Sequence, residues 1–285
     1  MELLHKTIRV ENGQDVYIAP LGDIQWTGKP GAIASDMLRD HIKYANKLGA
    51  YYLGTGDLVD FMSPSNRSRL KKAELYDNAE DIIVEKTTEL TDQLYEKYLE
   101  PTTGKWLGAV HGHHWGECEG GETSDQRLMR KLGGAFLGTS AFVVLDFVSD
   151  DDSERKGRVT LWVHHGCGNG KASAPVNKLE NISTHWVADI FVIGHMSKLA
   201  SAAIDRVYPI VEGDGEARFS HRKLLLVGAG SWSKAYELGH KRNGRVDGCY
   251  VEKAMLNPAA LGGAMIRINT KWEQRRWSPT LKVEI

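Results

Sequence analysis

The chain has 285 residues, of which 41% are hydrophobic, with 36 Lys and Arg against 37 Asp and Glu and a formal net charge of −1. This length can bury one large core, and we predict a single domain over residues 1–285. The near-zero net charge excludes a global electrostatic attraction to nucleic acid or anionic membranes, while a local basic groove stays open.

The sequence predicts neither a secretory signal nor a disulfide framework. Residues 1–10 mix charged and apolar side chains, unlike the uninterrupted apolar stretch of a secretory signal, and no other stretch approaches the ~18 apolar residues that cross a bilayer. Cys118, Cys167 and Cys249 are too scattered for a disulfide framework or a zinc knuckle. We therefore predict a cytoplasmic protein with reduced thiols and no membrane partner.

In chain order, five short apolar runs predict β-strands, each followed by a polar or glycine-rich loop. The runs are residues 16–21, 50–53, 106–110, 159–163 and 190–193. Apolar residues at helical spacing over 32–48 predict a helix that ends at Gly49. The pattern is typical of β-α-β units.

The charged segment 62–104 predicts a helical insertion, with an amphipathic helix from about 78 to 99. A helix packed on the sheet is the favoured interpretation, and a lid over the substrate is the alternative. Residues 150–157 predict an exposed hairpin turn, and 199–211, 222–227 and 264–269 predict strands. Together these elements predict a mixed α/β sandwich whose later strands form a second sheet layer.

Residues that can bind metal follow each of the five predicted strands. They are Asp23, Asp57, the pair His113 and His114, His165 and His195. Because ligands bind outside the carboxyl ends of strands in open α/β sheets, these loops can converge on one site. Carboxylate and imidazole together suit a divalent transition metal, namely manganese, zinc or iron.

These loops also resemble the five motif blocks of calcineurin-like metallophosphoesterases, D-x-H, G-D-x-x-D, G-N-H, H-G and G-H-x-H. The matching segments are 22–25, 56–60, 112–114, 165–166 and 194–197, in the same order and at similar spacing. Residues 228–232 and 236–263 resemble the closing loop of bacterial and phage members. The resemblance implies a four-layer α-β-β-α sandwich with two mixed β-sheets, and a metal-dependent hydrolase acting on ester bonds.

Carried over block by block, the resemblance implies a role for each residue. Asp57 bridges two metals, and His165 and His195 bind the second metal, with His113 standing where the family has a metal-binding Asn. His114 matches the histidine that assists the leaving oxygen, and Asp60 matches the carboxylate that orients it.

Two departures from the family pattern fall on the first metal, which Asp23 would bind. Gln25 and Ser197 replace two histidines, and an amide oxygen and a hydroxyl are poorer ligands for zinc-like ions. The first position would bind loosely, prefer manganese or magnesium, or stay empty, so one ion and two ions both stay open. Phe61 stands where protein phosphatases carry a phosphate-binding arginine, which argues against a phosphoprotein substrate.

The sequence therefore predicts hydrolysis of a phosphate ester, preferably a phosphodiester such as a nucleotide or nucleic acid, by metal-activated water with His114 assisting. Trp26 and Trp115 lie beside motif blocks, where an indole can stack on a flat substrate group, although core packing is the favoured alternative. Lys171 follows a glycine-rich loop that can contact phosphate or act as a simple turn. A degenerate fold that serves as a binding or scaffolding protein is the alternative function, and the oligomeric state is not predicted.

Overall fold

The computed structural model describes residues 1–73, 75–211, 215–239, 241–242, 244–253, 255, 257–258, 260–273 and 276–285, with the side chains of all of these but Pro30, Arg242 and Tyr250. The α-helices are α1 (Ser35–Lys47), α2 (Pro64–Lys72), α3 (Asp77–Leu94), α4 (Ser124–Leu132), α5 (Ala174–Ile182) and α6 (Tyr250–Lys253). A π-helical turn, Tyr95–Leu99, continues α3.

Most strands belong to two large sheets. In chain order the strands are β1 (Glu2–Val10), β2 (Gln14–Gly22), β3 (Tyr51–Gly56), β4 (Trp106–Ala109), β5 (Ala135–Phe136), β6 (Ser140–Ser149), β7 (Lys156–His164), β8 (Ile190–Ile193), β9 (Leu199–Val211), β10 (Ala217–Ser231), β11 (Lys241–Arg242), β12 (Arg245–Val246), β13 (Gly262–Gly263), β14 (Met265–Thr270), β15 (Trp272–Glu273), β16 (Arg276–Trp277) and β17 (Thr280–Glu284). Sheet I has the order β1-β6-β7-β8-β10-β13, with β9 paired to β10, and sheet II has the order β17-β14-β2-β3-β4-β5.

Both sheets are mixed. In sheet II, β2, β3, β4 and β5 run parallel, and β14 and β17 add antiparallel pairs at one edge. In sheet I, β7, β8 and β10 run parallel, whereas β6 pairs antiparallel with β7. The parallel runs aim the carboxyl ends of β2, β3 and β4, and of β7 and β8, at loops that can carry a site.

The helices and the two sheets form four layers, with an apolar cluster between each pair of neighbouring layers. The largest cluster lies between the sheets and includes Ile18 and Leu53 of sheet II with Leu161 and Ile190 of sheet I. Helices α1, α3 and α4 pack on the outer face of sheet II, and α5 packs on the outer face of sheet I through Leu179. The α-β-β-α sandwich with two mixed sheets that the motif resemblance implies is thereby confirmed.

The strand predictions hold well, but the division into sheets differs from expectation. The predicted runs 16–21, 50–53, 106–110, 159–163 and 190–193 fall on β2, β3, β4, β7 and β8, and the 150–157 turn joins antiparallel β6 and β7. The later strands do not form a sheet of their own, because β9 and β10 extend sheet I while β14 and β17 extend sheet II. Strand β1 was not predicted, because charged residues alternate along residues 2–10 of this edge strand, which has one exposed face.

The predicted 62–104 insertion contains α2, α3, the π-helical turn and a short 3-10 helix, Glu100–Thr102. The apolar stripe of α3 is buried only in its second half, through Leu90 and Leu94, while Ile82 is 65% exposed. Thr87 and Thr91 are buried in place of apolar residues, and their hydroxyls donate to backbone carbonyls four residues earlier. The second half of α3 therefore packs on the body of the molecule, as the favoured interpretation has it.

In the closing-loop segment 236–263, residues 240, 243, 254, 256 and 259 lie outside the described residues, so that resemblance is followed only in part. The preceding segment 228–232 contacts the Asp23 loop directly, because Trp232 N donates to Asp23 O at 3.0 Å and Ser231 Oγ donates to the same carbonyl at 3.2 Å. No helix in the described part of the chain is both long and apolar enough to span a membrane.

Candidate metal centre

The candidate site lies where loops from both sheets meet. Asp23 and Asp57 directly follow β2 and β3, and His113 and His114 lie a few residues after β4, all in sheet II. His165 directly follows β7, and His195 lies two residues after β8, both in sheet I. Packing of the two sheets brings these two sets of strand ends together, so the candidate ligands come from both sheets.

Two glycines allow the loops to approach each other closely. A Cβ atom on Gly56, whose φ is +89°, would lie 2.6 Å from the Gly112 backbone and 2.8 Å from the His165 ring. A Cβ atom on Gly112 would lie 2.0 Å from Asp57 Oδ1. Any larger residue at either position would push the Asp57 loop away from the histidine loops.

The motif loops also hold non-glycine residues in the left-handed backbone region. Asp23, Gln25, Asp57, His195 and Ser197 have φ between 48° and 64°. For a residue other than glycine this backbone conformation costs about 1–3 kcal/mol of conformational free energy, and such conformations cluster at functional sites. The backbone of three separate motif blocks is therefore held in an unfavourable conformation that fixes where the side chains point.

Two overlapping groups of side chains can each hold a metal ion. One group consists of His113, His165 and His195, and the other consists of Asp23, Asp57 and His165. Within each group the candidate ligand atoms lie within 4.8 Å of one another. The first group offers nitrogen and the second mostly oxygen, so the two positions differ in the ions they suit.

The buried polar atoms of the second group fit a cation. Asp23, Asp57 and His165 are at most 2% exposed. Asp23 Oδ1, Asp57 Oδ2 and His165 Nε2 have no hydrogen bond of acceptable geometry among the described residues. The other atoms of these side chains are satisfied, because Asp23 Oδ2 accepts from His195 N at 2.8 Å and His165 Nδ1 donates to Thr55 O at 2.6 Å. Burying such atoms without partners is costly, and a shared cation would remove that cost.

Without a metal, Asp57 and His165 form a close charged pair with 3.2 Å between Oδ2 and Nε2. Burial acts to raise the pKa of Asp57, but the close contact with His165 and its positive charge outweigh burial and lower that pKa below its ordinary value. Burial likewise acts to lower the pKa of His165, yet Asp57 and Asp23 raise it to about 9. The proton on His165 thus occupies the place where a cation would bind.

Burial is the main cause of the pKa shifts of the remaining ligand candidates, Asp23, His113 and His195. Burial raises the pKa of Asp23 to about 7, against the opposing charge of His165 and with the added repulsion of Asp57. Burial and the positive charge of His165 lower the pKa of His195 to about 4 and also lower that of His113. Neutral imidazoles are the form that binds metal, so His113 and His195 are ready to bind at neutral pH.

His114 and Asp60 form the pair that the resemblance implies. The Nδ1 atom of His114 lies 2.7 Å from Asp60 Oδ1, and its Nε2 atom lies 4.0 Å from Asp57 Oδ2. The hydrogen bond to Asp60 raises the pKa of His114, against the opposing effect of burial. With Nδ1 donating to Asp60, Nε2 is the atom left facing the candidate metal positions.

Other predicted residues take different places. His164 accepts from Gly166 N and stacks near Trp162, so His165 is the histidine that faces Asp57. Trp26 is fully buried against Tyr98, which favours core packing over substrate stacking. Trp115 is half-buried, and Lys171 is exposed. The substrate contacts of Trp115 and Lys171 stay predictions, as do the ligand roles of Gln25 and Ser197, whose loops lie at the site.

Sequence reasoning missed three residues that support the site. Thr55 accepts from His165 through its carbonyl, a contact that any residue type could make. Arg67 sits in the charged insertion, where nothing in the pattern distinguishes it from its neighbours. Asp125 follows the Thr123 cap of α4 and is 1% exposed, with Oδ2 accepting from Gly112 N at 3.3 Å. An acidic residue in the first turn of a helix ordinarily indicates capping, so its contact with the motif loop carried no sequence signal.

The four layers, the two mixed sheets and the candidate ligands at the strand ends agree with the architecture that the motif resemblance implies. No family model matches the chain, and no curated protein matches it.

Several solved structures are similar to the chain at low identity. Vacuolar protein sorting 29 from Cryptosporidium parvum is 13% identical, with 95% of this chain and 98% of that chain covered and a TM-score of 0.36. A Streptococcus pneumoniae TIGR4 protein described as a predicted phosphoesterase is 12% identical (94% and 99% covered, TM-score 0.33). Vps29 from Entamoeba histolytica in complex with zinc is 10% identical (94% and 98% covered, TM-score 0.33). Because these scores are too low to carry an argument, the fold class rests on the chain's own topology.

Proposed function

We propose that the chain is a divalent-metal-dependent phosphoesterase that hydrolyses a phosphate ester, preferably a phosphodiester of a nucleotide or nucleic acid. The observation that carries this proposal is the convergence of three unpartnered buried ligand atoms, on Asp23, Asp57 and His165, beside the His114–Asp60 pair. A metal site and a positioned acid within one loop cluster are what phosphoryl transfer to water requires.

Bound divalent ions would lower the pKa of a water molecule and neutralise charge on the phosphoryl oxygens. The three-histidine group suits zinc, iron or manganese, whereas the carboxylates of Asp23 and Asp57, aided by Gln25 and Ser197, suit manganese or magnesium. The motif resemblance implies that Asp57 contacts both ions, and the 3.2 Å between its Oδ2 and Nε2 of His165, which belongs to both groups, supports that role.

His114 supplies the proton in this proposal. Asp60 fixes the ring so that Nε2 faces the ligand atoms, and its hydrogen bond with Nδ1 raises the pKa of His114, which favours the protonated form. Donation from Nε2 to the leaving oxygen would avoid expelling an alkoxide. The neighbouring Phe61 brings no positive charge, which favours a diester with one negative charge over a doubly charged monoester.

The test is hydrolysis of bis(4-nitrophenyl) phosphate and of 4-nitrophenyl phosphate by the purified chain with manganese, zinc or magnesium. We expect metal-dependent hydrolysis, faster for the diester, whereas the loss of about 10²–10⁴-fold for His114→Ala is expected with a dinucleotide, whose leaving oxygen is an alkoxide, and a smaller loss with the nitrophenyl esters. Asp57→Asn should reduce the rate at least as much, whereas His185→Ala, at an exposed histidine away from the site, should not. Equal rates for the wild type, Asp57→Asn and His114→Ala would sink the proposal.

The second candidate is a binding or scaffolding protein that has lost catalysis, and the observation behind it is the replacement of two histidines by Gln25 and Ser197. This candidate predicts a folded chain that retains no transition metal and is inert with every divalent ion. Metal-dependent hydrolysis by the wild type, lost in Asp57→Asn, would rule it out.

A further inference from the structure

The loop that carries His113 and His114 is held by hydrogen bonds on its N–H side. The backbone N–H groups of His113 and His114 donate to Asp57 Oδ1 at 2.5 and 2.9 Å. At the two ends of the loop, Gly112 N donates to Asp125 Oδ2, and Gly116 N donates to Ser124 Oγ at 3.4 Å. Two carboxylates and a hydroxyl thus fix the donors of this loop.

The carbonyl side of the same loop is held by one cation from the insertion. Arg67 Nη1 donates to His113 O at 2.8 Å, to Trp115 O at 2.9 Å and to Met62 O at 2.5 Å. The guanidinium carbon also lies 4.0 Å from the centre of the Trp115 ring, a cation–π contact. His114 O accepts from Phe61 N at 3.0 Å, so the carbonyls of all three residues 113–115 have donors.

The loop therefore lies between opposite charges. On one side Asp57, which is 2% exposed, accepts from the N–H groups of the loop. On the other side the half-buried Arg67 donates to the loop carbonyls and interacts favourably with the Asp57 and Asp125 carboxylates. Charge-assisted hydrogen bonds of this kind are shorter and stronger than neutral ones. Removing the guanidinium would leave partly buried carbonyls unpaired and would free the loop to shift.

The insertion delivers Arg67 through a short helix. Helix α2 begins at Pro64 after Ser63, whose hydroxyl accepts from Asn66 N at 3.3 Å. Arg67 lies on its inner face, whereas Arg69, two residues later, is exposed. No residue of α2 is fully buried, so apolar packing does not explain where this helix lies.

We propose that Arg67 is a positioning residue of the candidate metal centre, which sets the geometry of the His113–His114 loop by donating to its carbonyls. The α2 part of the insertion then supports the site through the backbone of the His113–His114 loop and does not cover the substrate. This inference rests on the proposed function only for its effect on catalysis, since its effect on metal binding is measured without turnover.

The test compares Arg67→Lys, Arg67→Met and Arg69→Ala with the wild type. Lysine keeps a cation with three N–H donors for the three carbonyls, and methionine keeps the length of the side chain without any donor. Cobalt(II) titration, followed by its absorption, gives the metal affinity, and the diester assay gives kcat and KM separately. Thermal unfolding confirms that each variant is folded.

We expect Arg67→Met to lose about 10–100-fold in metal affinity, as is usual when a partner behind a metal ligand is removed. Its kcat should fall with little change in KM. Arg67→Lys should recover most of both, and Arg69→Ala should match the wild type. Folded Arg67→Met with wild-type cobalt affinity would overturn the inference. If Arg67→Met does not fold, Arg67→Ala takes its place, and folded Arg67→Ala with wild-type cobalt affinity would overturn the inference.

The two proposals fail in different ways. If the wild type binds cobalt but hydrolyses nothing, the proposed function fails while the affinities of the Arg67 variants still decide the role of this residue. If the wild type is active and Arg67→Met is equally active and binds cobalt equally well, the proposed function stands and the inference about Arg67 fails.

Discussion

Individual residues of the candidate centre are placed at a cost to the stability of the metal-free chain. Asp23 has no exposed surface, and its Oδ1 atom lacks a hydrogen-bond partner among the described residues. Its backbone lies in the left-handed region, as do those of Asp57 and His195. Such costs are typical of functional sites, where the binding of a ligand offsets them.

The first prediction concerns this cost at Asp23. Its pKa is raised from 3.8 to about 7, so the folded chain holds a proton that the unfolded chain releases. The contribution of Asp23 to the stability of the metal-free protein should therefore fall as pH rises from about 4 to about 7. Asp23→Asn cannot ionise, and we expect it to be more stable than the wild type by about 1–3 kcal/mol at pH 7 without metal. Urea unfolding at pH 4.5 and pH 7 measures the difference.

The same substitution should weaken metal binding, since it removes a charged ligand. A chain in which Asp23→Asn lowered the stability at pH 7 would contradict the burial of an ionisable carboxylate at this position.

The second prediction concerns His114 and Asp60. The hydrogen bond that His114 Nδ1 donates to Asp60 raises the pKa of His114, so the protonated acid persists to higher pH. Asp60→Asn should move the alkaline limb of the kcat–pH profile to lower pH, because the pKa of His114 then falls. The loss of rate at the optimum should be smaller than the roughly 10²–10⁴-fold effect of removing the acid itself. Asp36→Asn, at a 97% exposed carboxylate on α1, serves as the control. An unchanged alkaline limb would show that His114 is not the titrating acid.

At the scale of elements, the sequence predicted the strands that end at the site far better than the contacts between loops. Each of the predicted strands ending at a motif loop exists, because apolar runs of four to six residues bounded by glycine and polar residues specify buried parallel strands. The contribution of Arg67 could not be predicted, since a backbone carbonyl accepts a hydrogen bond whatever its side chain is. Strand β1 was missed because an edge strand with one solvated face carries charged residues at alternate positions.

Helix α3 gives the third prediction. Its second half is buried and its first half is not, since Leu94 has no exposed surface while Ile82 is 65% exposed. Leu94→Ala should lower the unfolding free energy by about 2–5 kcal/mol, the usual cost of a cavity in a core. Ile82→Ala removes a similar volume from a surface position and should change it by no more than about 0.5 kcal/mol. Urea unfolding of both variants makes the comparison, and equal effects would show that the two halves of α3 are packed alike.

At the scale of the whole molecule, the site exists because two sheets pack face to face. The ligands of sheet II alone would supply Asp23, Asp57 and His113, and only the packing against sheet I adds His165 and His195. The motif resemblance implied this four-layer order, whereas strand patterns alone left the assignment of the later strands wrong. Sheet membership depends on pairing between residues far apart in sequence, which local patterns do not specify.

The fourth prediction is that metal binding stabilises the whole chain and releases protons. His165, with a pKa of about 9, is protonated at pH 7.5 without metal, and a bound cation must displace that proton. We expect metal affinity to rise with pH up to about 9 and the thermal midpoint to increase with metal concentration. Calorimetric titration of zinc in two buffers of different ionisation enthalpy measures the protons released. Binding without proton release would mean that His165 is not a ligand.

The most direct test of the convergence of both sheets on a cation is elemental analysis of the purified chain after loading with manganese or zinc and exchange into metal-free buffer. We predict one or two ions per wild-type chain, loss of at least one ion in Asp57→Asn, and loss from the three-histidine position in His195→Ala. A well-folded wild-type chain that retains no ion under any of these conditions would contradict the account.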